Sequence, residues 1–149
     1  MIMKRMLPFF ALLLLASCDV YYVEPRYDSR DQITGHYNAE EYSETYDENL
    51  YYDMQVSKSS HESDEIYFSN FYGSDIRVYA YLDYGDITIP FQVVDGYEIE
   101  GVGRVTGSDI SLSYRVKDRI SNTRTDFCDT MLYHNHWFFI TINSKRPIV

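Results

Sequence analysis

The pair most like metal ligands in this 149-residue chain is His134 and His136, two positions apart with Asn135 between them. On a strand, positions two apart share a face, so both imidazoles would project the same way. Asp126 and Asp129 are the candidate oxygen partners. Zinc usually takes three or four protein ligands, and this set fixes two. The pair therefore reads better as exposed polar residues at a strand end, and neither a metal nor a cofactor is expected. The carboxylates Glu40-Glu41, Asp47-Glu48, Glu62 to Glu65 and Glu98/Glu100 fall mostly at strand ends or on polar faces. Acid–base work by a carboxylate pair needs one member in an apolar pocket, and no such placement is legible. No stretch alternates oxygen ligands as a calcium loop does, and there is no Gly-x-Ser-x-Gly elbow. Gly101-Val-Gly103-Arg-Val-Thr-Gly107 has the outline of a phosphate loop, but its third glycine falls one residue late and a strand follows it. Glycines inside a strand mark a bend or bulge instead. No catalytic residue is assigned, and the chain is read as non-enzymatic. The rival reading is an enzyme with a dispersed site at one end of the fold.

Two cysteines remain, Cys18 and Cys128. Cys128 sits between Asp126 and Asp129, the opposite of the electropositive setting that activates a thiol, and reads as a small buried hydrophobe. Cys18 closes a different pattern. Met1 to Arg5 is basic, residues 6–15 are apolar, and small residues follow, which is the order of a secretory signal. Its apolar run is too short to span a bilayer. Leu15-Ala16-Ser17-Cys18 resembles the lipobox of bacterial lipoproteins. That resemblance implies acylation of the Cys18 thiol, cleavage after residue 17, and attachment to a membrane of the bacterial envelope through the lipid. In enteric bacteria an aspartate in the position of Asp19 favours inner-membrane retention. Sorting rules differ between lineages, and the outer membrane is slightly favoured here.

Cleavage would leave 132 residues with eleven basic and twenty-three acidic side chains, a charge of −12. A body so acidic is repelled by nucleic acid, which is excluded as a partner, and by anionic lipid surfaces. Residues 18–32 read as a lipidated N-terminus and polar tether, on which Tyr21, Tyr22 and Tyr27 are able to fold back. Residues 33–149 form the domain, with 134–149 as a C-terminal extension. Within that extension Trp137-Phe138-Phe139-Ile140-Thr141-Ile142 reads as a ninth strand or a segment over the barrel mouth.

From Gly35 the hydrophobic period is two. Ile110, Leu112, Tyr114 and Val116 alternate with Ser111, Ser113, Arg115 and Lys117; Ile76, Val78, Ala80 and Leu82 alternate with Arg77, Tyr79, Tyr81 and Asp83. Leu50, Tyr52, Met54 and Val56 repeat the pattern. So do Ile87, Ile89, Phe91 and Val93, with Pro90 facing away as at an edge, bulge or corner. Turn signals, sharpest at Asp95-Gly96, divide eight strands: 35–46, 49–58, 65–72, 76–83, 86–94, 97–106, 109–118 and 124–133. Sixteen tyrosines and eight phenylalanines suit strands. Strands 8–12 residues apart with no room for crossover helices form an antiparallel meander. Eight of them close most simply into an up-and-down barrel, which removes the exposed edges. A β-sandwich is the alternative.

The meander from Gly35 to Tyr133 is similar to the lipocalin-like barrels, a family with Gly-x-Trp entering the first strand and an arginine in the last. Gly35-His36-Tyr37 and Arg124 hold the corresponding places. With Phe68, Phe91, Tyr97 and Tyr114 pointing inward, the interior is expected to be mostly filled. If Leu50, Tyr52, Ile66, Phe68, Val78 and Ala80 point in, then Tyr51, Tyr67, Tyr79 and Tyr81 point out, as an aromatic surface for protein, sugar or headgroup or as cross-strand pairs that stabilise the sheet. The expected function is a lipid-anchored envelope protein that binds a small apolar ligand or a protein or glycan partner. A structural component, or an inhibitor of another protein, is the alternative.

Overall fold

The computed structural model describes residues 27–121 and 124–135. The signal segment, Cys18, the tether up to residue 26, and residues 136–149 with His136 and Trp137 lie outside them.

Eight strands follow in order: β1 (Gly35–Ser43), β2 (Glu48–Lys58), β3 (Glu65–Phe71), β4 (Ile76–Asp83), β5 (Asp86–Val94), β6 (Tyr97–Thr106), β7 (Asp109–Asp118) and β8 (Asp126–His134). Each pairs antiparallel with the next, and β1 pairs with β8. The fold is a closed, all-β, up-and-down barrel of the lipocalin-like kind, not a sandwich. Alternation selects the faces: β4 runs buried–exposed through Ile76, Val78, Ala80 and Leu82, and β7 buries Ile110, Leu112, Tyr114 and Val116. The turns are two residues long at Tyr84-Gly85 and Asp95-Gly96, all four with positive φ, which matches the right-handed twist of a hairpin.

The lumen is filled. Phe71 from β3 and Tyr114 from β7, on opposite walls, meet with ring centroids 4.4 Å apart. Room for Tyr114 and Leu112 comes from β6, where their cross-strand partners are Gly101 and Gly103. A Cβ on Gly101 would lie 2.4 Å from the Tyr114 Cβ, so these glycines serve close packing and not a nucleotide loop.

Two breaks in the wall correct the expected faces. In β5 the register shifts between Ile89 and Gln92 at Pro90, which has no N–H to offer the ladder. Beyond the shift the faces invert: Gln92 is buried, while Phe91 and Val93, expected inside, are 55% and 48% exposed. Gln92 repairs the gap toward β4. Its Nε2 donates to the Tyr79 carbonyl at 2.8 Å, and its Oε1 accepts from the Tyr79 N–H at 3.1 Å. The second break is between β2 and β3, which pair only over residues 55–58 of β2. Asn70, at positive φ, bends β3 away and closes part of the gap by donating to the Asp53 carbonyl at 2.7 Å. Leu50, expected inside, is opposite the inward Glu41 but near a barrel end, where it is 38% exposed.

One end is capped. The last part of the expected tether is docked there as a 3₁₀ turn, Ser29–Gln32, followed by buried Ile33. Arg30, 8% exposed, donates to the carbonyls of Ser59, Glu62 and Glu65 at 3.2, 2.6 and 3.0 Å and pairs with Asp28 at 2.9 Å. Tyr37 hydrogen-bonds the Ile33 carbonyl at 2.8 Å, and its ring meets His134 edge-on at 4.9 Å. Arg124, matched by resemblance to a last-strand arginine, is exposed just before β8, at the opposite end from Tyr37.

Candidate functional site

At the uncapped end the lumen holds two carboxylates that the sequence reading left on polar faces or at the surface. Glu41 is 1% exposed and Asp126 2%. The alternation of β1 drives this: Tyr37 and Ala39 face in, so Glu41 and Ser43 do too. On β8 the inward set is Asp126, Cys128, Thr130 and Leu132. The pattern was readable; the charge on Glu41 argued against following it. Tyr52 and Thr130 donate to Glu41 Oε2 at 2.5 and 3.1 Å, and the Tyr114 hydroxyl donates to the same oxygen. Ser43 and Tyr72 donate to Asp126 at 2.6 and 2.8 Å. Glu41 Oε1 is buried without a hydrogen-bond partner. None of the ion pairs among the described residues involves either acid.

The phenols and the thiol around these acids hold their protons tightly. Burial raises the Tyr52, Tyr72 and Tyr114 hydroxyls well above an ordinary phenol, and the neighbouring acids add to it. Burial likewise pushes the Cys128 thiol up, helped by the charges of Glu41 and Asp126. A thiol held protonated is not a nucleophile. The chemistry present is hydroxyl-to-carboxylate hydrogen bonding, which compensates desolvated charge.

The candidate metal set does not assemble among the described residues. Asp126 is inside the uncapped end, Asp129 faces out and accepts from Ser113 at 2.6 Å, and His134 is at the capped end. No group of three or more His, Cys, Asp or Glu suited to a metal ion occurs among the described residues.

The outward tyrosines divide. Tyr67 and Tyr79 are cross-strand partners, Tyr79 and Tyr81 meet edge-on at 5.8 Å, and the Arg77 guanidinium stacks 4.0 Å over Tyr67. Tyr51 is 72% exposed but six residues along β2 from Ser57, the partner of Tyr67. At about 3.3 Å per residue it stands roughly 20 Å away. The pattern thus gives a three-ring strip and a separate ring.

A larger concavity lies elsewhere, on the outer wall of β5–β8. It has a volume of about 550 Å³. Phe91 forms one rim and Phe127, 51% exposed, the other. Between them run Glu100 and Arg115, paired at 2.6 Å, with Val102 and Ser113 in the next row. The bulge at Pro90 creates the groove by turning Phe91 outward. Period alone gave Phe91 the wrong face, so only the proline signalled the site.

No known protein family matches the chain, and no curated protein matches it. Among solved structures it is similar to a structural-genomics chain of unknown function from Bacteroides ovatus, at 13% identity and a TM-score of 0.47. The match covers 68% of this chain and 41% of that one.

Proposed function

We propose that this chain is a lipid-anchored bacterial envelope protein whose barrel is a non-enzymatic binding module, engaging a protein or glycan partner through its outer wall. The lipid is carried by Cys18 of the lipobox-like segment. The observation that favours the outer wall is the meeting of Phe71 and Tyr114 across the lumen, which leaves no open calyx at that level. The groove between Phe91 and Phe127 offers two exposed rings above a polar floor, a combination suited to the apolar face of a sugar or an extended peptide. The firm hold on protons at Cys128 and the inner tyrosines speaks for binding over catalysis.

The test replaces Phe91 and Phe127 together with Ser. The melting temperature should change little, because both rings are exposed. Cross-linking in intact cells should lose the partners captured by the native chain. Unchanged partners would overturn the groove. For the anchor, Cys18→Ala should move the protein from the detergent to the aqueous phase, and unchanged partition would overturn the lipid.

A further inference from the structure

Toward the uncapped end the barrel keeps one open strand edge. β2 begins at Glu48, but its ladder with β3 covers only Gln55 to Lys58. On its other side β2 pairs with β1 over the full length, down to Glu48 against Ser43. Two bonds fix which way its backbone groups point. The Ser59 N–H donates to the Glu65 carbonyl at 3.0 Å, and the Asp53 carbonyl accepts from the Asn70 side chain at 2.7 Å. Along a strand the backbone groups alternate sides, so the odd-numbered residues of β2 turn theirs toward β3. At Asn49 and Tyr51 no strand meets them, and among the described residues no hydrogen bond crosses that edge to either backbone.

The tip of the β3–β4 hairpin does not fill the place. From Asn70 it leans inward: Phe71 meets Tyr114 of β7, and Tyr72 donates to Asp126 of β8. Asn49 is left exposed and Tyr51 is 72% exposed. An edge with unpaired N–H and C=O groups is a template for another strand.

The surrounding side chains select what can pair. The exposed acids about this edge are Glu40, Glu44, Asp47, Glu48, Asp53 and Asp75, none of them in an ion pair among the described residues. Of the bases toward this end, Arg77 stacks over Tyr67, and Arg124 precedes β8 on the far side of β1. Lys117 and Arg119 stand on and after β7, across the barrel. A concavity of about 320 Å³ beside the edge is bounded by Asn38, Glu40, Tyr51 and Asp53, so a long basic side chain there comes between two carboxylates.

We propose that the edge of β2 at Asn49 and Tyr51 docks an extended, basic segment of a partner protein, which adds to the wall as a further strand. Main-chain hydrogen bonds hold the segment, and the acids select lysine or arginine on its outer face. A second copy of this chain would bring the same acids to the edge, so charge disfavours self-pairing. The site is separate from the groove between Phe91 and Phe127, with β1 between them, and rests neither on that groove nor on the lipid.

The test uses the purified full chain and a fluorescein-labelled peptide of about seven residues, enough to cover the open stretch at about 3.3 Å per residue. The peptide alternates Lys with Thr or Val, and a second carries Glu for every Lys. Anisotropy should show binding of the basic peptide, weakened severalfold by added salt, and none of the acidic one. Tyr51→Pro removes an N–H that faces the open edge, so the ladder with β1 and the melting temperature should survive. It should weaken the basic peptide about tenfold, whereas Tyr51→Thr, which keeps the N–H, should bind within about twofold of the native chain. Amide exchange followed by NMR tests the same claim without a variant. The Asn49 and Tyr51 amides should exchange fast in the chain alone and severalfold more slowly with the basic peptide. The docking site is overturned by no binding of the basic peptide, by equal binding of the two peptides, or by undiminished binding to Tyr51→Pro. It is equally overturned by amides at 49 and 51 that are already protected in the chain alone, as a second copy paired on this edge would make them.

Discussion

Replacing Gln92 with Leu should remove the patch that joins β4 to β5 beyond the proline. The ladder between these strands covers only Tyr81, Leu82 and Asp83 against Thr88, Ile87 and Asp86. Upstream, both backbone groups of Tyr79 are met by the Gln92 amide, which also donates to the Pro90 carbonyl at 3.2 Å. Leucine keeps the buried volume and removes every one of these bonds. An unpaired buried backbone group costs about 1–3 kcal/mol, and since water can reach part of half-buried Tyr79 the expected loss is about 2–4 kcal/mol in all. That is a large share of the roughly 5–15 kcal/mol that holds a domain together. Urea unfolding followed by circular dichroism should show a lower midpoint with an unchanged slope, since the surface exposed on unfolding is nearly the same. Gln92→Glu is the sharper variant. Its carboxylate still accepts from the Tyr79 N–H but faces the carbonyls of Tyr79 and Pro90. The folded state therefore favours the protonated acid, and the variant's stability should fall as pH rises through the carboxyl range. A loss under about 1 kcal/mol for Gln92→Leu, the size of an ordinary surface change, would refute the claim that this side chain completes the wall.

Leu112→Ala should cost about 2–5 kcal/mol by urea titration, because Leu112 is a buried inner residue packed beside Gly103, while Ser113→Ala on the outer face should cost far less. Glu41→Leu strands the hydroxyls of Tyr52, Tyr114 and Thr130 and should lower stability by about 2–5 kcal/mol in the same assay. Tyr37, Tyr52, Tyr72 and Tyr114 have hydroxyls raised in the fold, so their contribution is complete below about pH 10 and is lost as pH climbs further; tyrosinate absorbance should show them ionising only as the barrel unfolds. The Arg30 side chain, through its hydrogen bond, holds the Asp28 carboxyl well below its ordinary range. Stability from that pair is present above about pH 4 and lost as pH falls toward the folded value, so Asp28→Asn should be less stable than the native chain at pH 7, and the difference should shrink steadily as pH falls below about 4.

The eight strands were legible because period two and the two-residue turns reinforce each other: from 76 to 118 the expected strand bounds coincide with those found. Side-chain direction was less legible, and each miss has a local cause. Phe91 and Val93 changed faces because one proline shifted the register, and no periodicity rule counts the residue a bulge consumes. Leu50 kept its face but not its burial, since pattern specifies which way a residue points and not how far from the rim it sits. Tyr37-Ala39 before Glu41 and Cys128-Thr130 after Asp126 point both acids inward, but their charge argues for the surface, and Asp126 reads from sequence as an oxygen partner of an exposed histidine pair. These acids sit where the barrel most needs cross-links. The β2–β3 ladder stops at Gln55, so the wall toward the uncapped end has no backbone bonds between those two strands. The hydroxyls on Glu41 come from β2, β7 and β8, and Asp126 of β8 takes one from β1 and one from Tyr72, just past β3. Two desolvated carboxylates thus draw the ends of five strands to common acceptors. An apolar pair would fill the same space without joining the two sides of the gap.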